Sequence, residues 1–333
     1  MRGYGAPMNR WSLLLIGFCL FAFPFRSSAP LIYTPGEGWT YEPVGGEGKW
    51  QRPRAKDQLE VAQGAFDQHN FGLARKAARR VVRVWPLSDY APQAQYLVGR
   101  CYEELGNDER AFKEYQKVLE KHPKMLNYQE VLQRQYEIAN KYLGGKWFKL
   151  WGYIPMFPSM ERTAEMFDKI VKNGPYGEIA PQAQMNIGLA RVKQRNYPLA
   201  VKAYELAADR YHDRPKVAAD ALYRAGLAYN RQAQAADYDQ SAAGQAIATF
   251  TDFMTLYPDD RRVPEAQKII TMLKTEQARG NFQTAKFYEK RKKWNGALVY
   301  YNEVLLQDPN SPYASSARQR IDELKKRTLQ ASK

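Results

Sequence analysis

The sequence predicts an all-α fold built from repeated pairs of helices. One spacing recurs along the chain: a small residue, a large apolar residue four positions later, a further apolar residue three positions after that, and then proline. The clearest copy consists of Ala111, Tyr115, Val118 and Pro123. Apolar residues three and four positions apart lie on one face of a helix, and proline does not continue a helix. The recurrence therefore predicts stacked helices of fixed period in one elongated domain.

Six copies of this spacing predict the second helices of six helix pairs. The other five copies are Ala74, Ala78, Val81 and Pro86; Thr163, Phe167, Ile170 and Pro175; Ala200, Tyr204 and Ala207; Ala246, Phe250, Phe253 and Pro258; and Ala297, Tyr301, Val304 and Pro309. The copy that begins at Ala200 has His212 where proline is expected. Such self-similarity is typical of tetratricopeptide repeats, which usually bind other proteins. We expect a right-handed tetratricopeptide-repeat solenoid of about five to six helix pairs with a C-terminal capping helix.

Small residues on both helices of a pair are predicted to let the two helices approach each other. Gly188 is expected to approach the helix of Ala200, and Gly226 the helix of Ala246, because small side chains let two helices pack closely. We therefore expect structural roles for the residues of the repeat frame. These are Gly99, Tyr102, Ala111, Tyr115, Pro123, Gly188, Ala200, Tyr204, Gly226, Ala246, Phe250, Pro258, Ala297, Tyr301 and Pro309.

The turns between pairs also resemble one another. Residues 85–94 are similar to residues 308–317, and each stretch places a serine, Ser88 or Ser311, shortly before a predicted helix. A serine hydroxyl accepts a hydrogen bond from a free backbone N–H at a helix start. Both serines are therefore predicted to cap the next helix.

Residues 1–29 have the pattern of a signal peptide or N-terminal anchor. Arg2 and Arg10 precede an apolar run at 11–25, which is too short to span a bilayer comfortably. Cys19 within this run is a candidate for lipidation, although the preceding Phe18 is bulkier than the small residue that lipidation favours. Cleavage, lipidation at Cys19 and retention of the segment all remain open.

Residues 30–56 are rich in glycine and proline and show neither a helix period nor a strand period. We expect an extended tether there. The tether carries Tyr33, Trp39, Tyr41 and Trp50, so the alternative is a segment that packs on the first repeats or on a partner. Helical periodicity begins near Asp57, and the repeat domain is predicted to span 57–330.

An aromatic insertion at 144–158 separates the two helices of the third pair. It contains the partner-binding candidates Trp147, Phe148, Trp151 and Tyr153. Insertions in repeat arrays often lie on the binding face. Two interpretations have equal weight, a partner-binding loop and a loop that folds down to extend the core, with contact to a membrane surface as a third. A second expansion, at 232–244, is predicted to be a polar extension of the fifth pair without a specific role.

The chain is strongly basic, with 50 Lys and Arg against 35 Asp and Glu and a formal charge of +15. Such a charge attracts nucleic acid, anionic lipid or acidic proteins. The basic residues are scattered, however, and the short runs at 75–80, 290–293 and 325–327 fall on predicted helices, where a solvated face explains them. We therefore predict no nucleic-acid partner.

The residues that carry catalysis are missing from the sequence. The three histidines, His69, His122 and His212, are scattered, and no catalytic or nucleotide-binding motif occurs. Without the leader, Cys101 is the single cysteine and is expected to be a buried structural thiol. We predict a protein that is not an enzyme and has no cofactor, metal site or small-molecule substrate.

The last third of the sequence contains a more specific pattern. Ala285, Phe287, Tyr288 and Arg291 on one predicted helix are followed, after a short turn, by the copy of the spacing that begins at Ala297. This pattern resembles the BamD family, also called YfiO or ComL, and the similarity extends over about 57–329 when the earlier repeats are included.

The resemblance implies a noncatalytic scaffold that is exported, faces the periplasm and associates with the outer membrane. Its partners would be a BamA-like barrel and segments of unfolded outer-membrane proteins. The family's docking surface corresponds to Tyr288, Arg291 and Trp294 in this chain. The family's receiving groove corresponds to the surroundings of Ala62, Ala65, Phe71, Gly99 and Tyr102. The alternative is a soluble or anchored envelope adaptor, similar to the coordinator of the Tol-Pal system or to a secretion-associated repeat protein.

Overall fold

The computed structural model describes residues 31–36, 38–41, 50–124, 127–150, 154–235 and 240–331. In these ranges the chain forms thirteen helices and two short β-hairpins. The first helices of the six pairs are α1 (Ala55–Asp67), α3 (Ala91–Glu104), α5 (Tyr128–Leu143), α7 (Ala180–Lys193), α9 (Pro215–Ala235) and α11 (Val263–Lys290). The second helices are α2 (Phe71–Val84), α4 (Asp108–Lys121), α6 (Met160–Asn173), α8 (Tyr197–Arg210), α10 (Gln240–Leu256) and α12 (Trp294–Gln307), and α13 (Ala314–Ala331) follows the last pair. The predicted all-α architecture of repeated helix pairs is confirmed.

The chain divides into two compact units, Met1–Asn107 and Asp108–Lys333. The first unit contains a hairpin of β1 (Leu31–Thr34) and β2 (Gly38–Tyr41), which pair antiparallel with Leu31 opposite Tyr41. The backbone N–H of Asp89, in the loop between α2 and α3, donates to the carbonyl oxygen of Gly36 in the hairpin turn at 2.8 Å. The structure thus has strands at 31–34 and 38–41, where the sequence shows no strand period, and the contact of Gly36 favours the alternative of a segment that packs on the first repeats.

A buried glutamine fixes the chain where the first helix begins. The side chain of Gln58 is fully buried. Its carbonyl oxygen accepts from the backbone N–H of Arg52 at 2.9 Å, and its amide donates to the carbonyl oxygen of Trp50 at 3.1 Å. These two bonds hold the preceding segment against α1, which begins two residues before the predicted start of the repeat domain.

Two glycines of the repeat frame lie against large rings of the paired helix. A Cβ on Gly188 would lie 2.4 Å from the ring of Tyr204, and one on Gly226 would lie 2.8 Å from the ring of Phe250, so glycine is required for each close approach. The apolar frame residues are buried: Gly99, Tyr102, Ala111, Tyr115, Gly188, Ala200, Tyr204, Gly226, Ala246, Phe250, Ala297 and Tyr301. The frame prolines Pro123, Pro258 and Pro309 are exposed and each follows the last residue of a helix by two positions.

Contrary to the prediction, the two turn serines do not cap the helices that follow them. The hydroxyl of Ser88 donates to the carbonyl oxygen of Trp85 at 2.9 Å, and Tyr90 occupies the N-cap position of α3. The hydroxyl of Ser311 is buried and has no hydrogen-bond partner in the described part of the chain. The backbone N–H of Ser88 donates to the carbonyl oxygen of Trp85, and that of Ser311 donates to the carbonyl oxygen of Asp308. Both serines therefore belong to the turn that follows the preceding helix.

Helix α11 is 28 residues long and contributes to successive cores of the second unit. Its first part packs Ala266 and Ile270 against Phe250 and Phe253 of the fifth pair. Its second part buries Ala278 and Ala285 with the second helix of the sixth pair and with α13; their buried partners are Ala297, Tyr301, Val304, Ala317, Ile321 and Leu324. One helix therefore connects the fifth pair to the sixth.

The expansion of the fifth pair lengthens both of its helices, as predicted for a helical extension. It is less polar than predicted, because Ala233, Ala242 and Ala243 are buried against Leu273 of α11. Residues 236–239 of this expansion lie outside the described residues. The buried alanines give the described part of the extension a packing role.

Candidate partner-binding surfaces

The aromatic insertion contains the second hairpin, formed by β3 (Phe148–Leu150) and β4 (Ile154–Phe157). Phe148 is buried, and its ring stacks on Tyr142 of α5 with centroids 4.2 Å apart and planes at 20°. The guanidinium carbon of Arg162 lies 4.1 Å from the centroid of the Phe148 ring, a cation–π distance. Phe148 therefore extends the core, as one of the two interpretations proposed.

Two carboxylates at the start of α4 hold the insertion in place. The side chain of Asp108 is 1% exposed and forms ion pairs with Lys146 and, at 3.5 Å, with Lys141. The carboxylate of Glu109 accepts from the backbone N–H of Lys149 at 2.6 Å and from the Arg162 guanidinium at 2.8 Å. Carboxylates are favoured in the first turn of a helix, where the helix dipole is positive. The acidic first turn of α4 thus anchors the basic flanks of the insertion.

These contacts also change the chemistry of the neighbouring tyrosine. Burial, together with the negative charges of Glu109 and Asp108, raises the pKa of Tyr142 above its usual range. The phenol therefore stays neutral at any physiological pH. Its role in the insertion is to provide an apolar ring for Phe148.

The outer side of the insertion keeps exposed aromatic surface. Trp147 is 52% exposed and Phe157 is 54% exposed. Trp151 and Tyr153, the other two candidates, lie outside the described residues. A cavity of about 160 Å³, partly lined by Phe148, Arg162 and Glu109, opens beside the hairpin. The insertion thus combines an anchored inner side with an exposed outer side, and binding through Trp147 stays a prediction.

The structure does not bring the three predicted docking residues of the last pair into one site. The ring of Tyr288 stacks on Tyr300 with centroids 5.4 Å apart, and Gly296 leaves the space for it, so Tyr288 has a packing role. Arg291 is exposed and its guanidinium carbon lies 4.1 Å from the ring centroid of Phe287. Of these three residues, Trp294 is the one that lines the large cavity of this region.

This cavity, here called the C-terminal groove, has a volume of about 650 Å³ and is lined by residues of α11, α12 and α13. Its aromatic lining consists of Phe282, Trp294 and Tyr301, and its basic lining of Lys286, Lys290, Arg320 and Arg327. Glu289 is the one acidic residue among the lining residues that the structure describes. The groove is therefore an aromatic surface with a clear excess of positive charge.

Hydrogen bonds fix the floor of the C-terminal groove. The hydroxyl of Tyr301 donates to the carboxylate of Glu289 at 2.7 Å, and Arg320 forms an ion pair with the same carboxylate. Burial, with a smaller contribution from the charge of Glu323, raises the pKa of Tyr301. The spacing of the repeat predicted Tyr301 as a core residue. The spacing did not predict a role for Arg320, because its partner Glu289 lies on another helix.

The groove expected near the first repeats is built from core residues. Ala62, Ala65, Gly99 and Tyr102 are buried, and Phe71 is half-buried. The four buried residues are therefore available for packing rather than for contact with a partner. Cys101 beside them is buried, and desolvation raises the pKa of its thiol to about 11, so the thiol is protonated at neutral pH.

Two further observations concern the described residues. No group of three or more His, Cys, Asp or Glu side chains in the described ranges is arranged to hold a metal ion. The helices that the structure describes include none with the length and apolarity needed to cross a bilayer. Cys19, the lipidation candidate, lies outside the described residues.

Comparisons with solved structures give low similarity. The C-terminal part of a TPR repeat-containing protein from Cytophaga hutchinsonii is 14% identical, covers 79% of this chain and 87% of its own, and has a TM-score of 0.34. A tetratricopeptide repeat protein from Parabacteroides merdae is 12% identical, with coverages of 81% and 98% and a TM-score of 0.33. For pilF of Pseudomonas aeruginosa the identity is 15%, the coverages are 84% and 97%, and the TM-score is 0.27. These values are too low to transfer a function.

Comparison with curated proteins gave no match. Two family models match the chain. Residues 59–125 match a tetratricopeptide repeat, and residues 158–308 match YfiO, described as an outer membrane lipoprotein. Both families are generally noncatalytic and bind proteins. Residues 158–308 are thus similar to the YfiO outer membrane lipoprotein family and residues 59–125 to a tetratricopeptide repeat, and the resemblance to the BamD family inferred from the residues of α11 and α12 is confirmed.

Proposed function

We propose that this protein is a noncatalytic, periplasm-facing scaffold of the machinery that assembles β-barrel proteins in the outer membrane. Its partners would be a BamA-like barrel and extended segments of unfolded outer-membrane proteins, held in the grooves of the repeats. The match of residues 158–308 to the YfiO family is the observation that carries this proposal. An N-terminal signal or lipid anchor at Cys19 would place the chain in the envelope.

The position of the exposed surfaces supports the proposal. The YfiO match spans α6 to α12 and so includes most of the C-terminal groove, whose aromatic and basic side chains suit a protein partner. Trp294 on this surface is half-buried, which leaves part of its ring available for contact. Tryptophan residues of this kind often contribute much of the binding energy of an interface.

A second function has one observation in its favour. Residues 59–125 match a general tetratricopeptide repeat, and the YfiO match begins only at residue 158. The N-terminal repeats would therefore also suit an envelope adaptor that works with other partners, such as a component of the Tol-Pal system. The two functions differ in the protein that is captured.

Photo-crosslinking in cells separates these functions. A photoreactive residue at position 294 would be compared with one at Leu306, which lies on the same helix and is 74% exposed. We expect a BamA-like barrel to be captured from position 294 and in much smaller yield from position 306. Capture of Pal without a barrel protein would replace the scaffold by the adaptor. Intact-mass measurement of the membrane-extracted chain shows whether Cys19 is acylated.

A further inference from the structure

Two basic runs of the sequence converge on the C-terminal groove. Residues 290–293 and 325–327 are far apart in the chain, and a solvated helix face was the simplest explanation for each. The fold brings Lys290 of the first run and Arg327 of the second to the lining of one cavity. Lys286 and Arg320 add two further positive charges to this lining. A solvated helix face does not explain why two separate runs meet at one concave surface.

The positive charges of the groove are only partly neutralised. Arg320 is paired with Glu289 and Glu323. Lys286, Lys290 and Arg327 are exposed, and no ion pair joins them to a carboxylate among the described residues. The groove therefore has three positive charges that are available to a ligand.

Aromatic rings lie directly beside these charges. The ammonium nitrogen of Lys286 is 5.3 Å from the ring centroid of Phe282, and the guanidinium carbon of Arg327 is 5.9 Å from the ring of Trp294. Cation–π contacts at such distances hold the positive groups over the rings. A ligand that meets the cations also meets apolar surface.

We propose that the C-terminal groove binds an acidic polypeptide segment that carries aromatic or apolar side chains. Its carboxylates would pair with Lys286, Lys290 and Arg327, while its apolar side chains would pack on Trp294 and Phe282. Charge-assisted hydrogen bonds of this kind are stronger than neutral ones. The inference deepens the proposed scaffold function, on which it rests, by giving the chemistry of the partner at this surface.

The lining of the groove favours a peptide over other anions. Among its cations the groove carries the half-buried rings of Phe282 and Trp294, and the side chains of a peptide can pack on such rings better than a flat membrane surface can. Ser316 and Gln319 in the lining offer hydrogen bonds to a peptide backbone, which anionic lipid and nucleic acid lack. Nucleic acid and anionic lipid are outcomes that the experiment distinguishes.

The experiment measures the binding of a fluorescein-labelled peptide of alternating Glu and Tyr residues to the purified full-length chain, by fluorescence anisotropy. The control peptide has Gln in place of Glu. We expect Lys290→Glu and Arg327→Glu each to weaken binding of the acidic peptide by about tenfold or more, because a charge-assisted contact becomes a repulsion. Lys326→Glu is the matched control: it makes the same change of charge at an exposed residue next to Arg327 that does not line the groove.

The result that overturns the proposal is equal weakening by Lys326→Glu, which would show a diffuse effect of net charge. Equal binding of the Gln peptide, or tighter binding of phosphatidylglycerol vesicles or oligo-dT, would overturn it as well. If a charge reversal prevents folding, judged by circular dichroism, the triple variant Lys286→Gln, Lys290→Gln, Arg327→Gln replaces it. Barrel capture by the unaltered chain tests the scaffold function separately, so a failure of peptide binding leaves that function intact.

Discussion

At the scale of single residues, Arg262 shows how one side chain connects neighbouring helix pairs. Its guanidinium forms ion pairs with Asp260 at 2.8 Å and with Asp220 at 2.7 Å. The guanidinium carbon also lies 4.7 Å from the ring centroid of Tyr223. The hydrogen bonds from Arg262 outweigh the opposing effect of burial and lower the pKa of Asp260 to about 2. Arg262 therefore stabilises the turn before α11 by attracting a carboxylate in its charged form.

The lowered pKa predicts a dependence of stability on pH. A folded-state pKa below the ordinary value of 3.8 means that Asp260 stabilises the fold above about pH 4 and loses this effect as the pH falls through about 2. We expect Asp260→Asn to lower the free energy of unfolding by about 1–2 kcal/mol at neutral pH. Urea denaturation from neutral pH to about pH 2 should show the variant and the unaltered protein converging at the acid end.

A matched control uses the exposed pair of Asp168 and Lys172, whose side chains are 47% and 73% exposed. Asp168→Asn should leave the free energy of unfolding almost unchanged, because exposed ion pairs contribute little. If Asp260→Asn keeps the full acid-dependent loss of stability, the proposed role of Asp260 is wrong.

Residue type predicted the repeat frame but not the charged contacts. Gly188 and Tyr204 are recognisable because a small and a large residue recur at helical offsets, and those offsets reflect local backbone geometry. Arg262 and Asp220 are 42 residues apart, and Glu109 and Arg162 are 53 apart. Charged residues are common on helix surfaces, so their pairing is determined only when the helices have packed.

At the scale of structural elements, the aromatic insertion separates two neighbouring residues by function. Phe148 is 3% exposed, whereas Trp147 is 52% exposed. Successive side chains of an extended chain point to opposite sides. One residue is therefore available to hold the hairpin on α5, and the other is available to a partner.

This separation predicts opposite effects for two alanine substitutions. Phe148→Ala should lower the free energy of unfolding by about 3 kcal/mol, because it removes a buried ring stacked between α5 and Arg162. Trp147→Ala should change it by less than about 1 kcal/mol. Urea denaturation measures both effects, and limited proteolysis should show faster cleavage at 144–158 in the Phe148 variant alone. Equal destabilisation by the two substitutions would contradict the assignment.

Both hairpins were missed in the sequence for the same physical reason. Their strands have three or four residues, which is too short for a visible alternation of polar and apolar positions. Proline and glycine at 30–56 and 144–158 indicated loops. The contacts that hold the hairpins come from elsewhere, from the backbone of Asp89 in one case and from Asp108 and Glu109 in the other. The position of the insertion between two helices was predictable, and its anchoring was not.

At the scale of the whole molecule, α11 determines how the last two pairs of the second unit are connected. A helix of 28 residues is about 42 Å long, since each residue adds about 1.5 Å. Its first part belongs to the core that contains Phe250, and its second part belongs to the core that contains Tyr301. The sixth pair therefore depends on the continuity of one helix.

A break in α11 should loosen the sixth pair more than the third and fourth. Proline inside a helix removes a hydrogen bond and destabilises it by about 3 kcal/mol or more. We expect Gly280→Pro to speed hydrogen exchange in α12 and α13, while α6 to α8 keep their protection. Gly280→Ala is the control, since it preserves the helix and meets only the side-chain amide of Gln240, at 3.0 Å. Unchanged exchange in α12 and α13 would show that the sixth pair is stable without this connection.

The first hairpin limits the distance between a membrane anchor and the first unit. If residues 30–56 were a free tether, their length would add to the distance that the first unit can reach from the bilayer. Because the Asp89 backbone and the Gln58 side chain hold parts of this segment on the first unit, only residues 20–30 separate Cys19 from the first strand. A fully extended chain covers about 3.5 Å per residue, so a lipid on Cys19 would keep Leu31 within about 40 Å of the bilayer surface. In a lipidated form, the first unit would therefore stay close to the membrane surface, because the hairpin shortens the segment that separates it from the lipid.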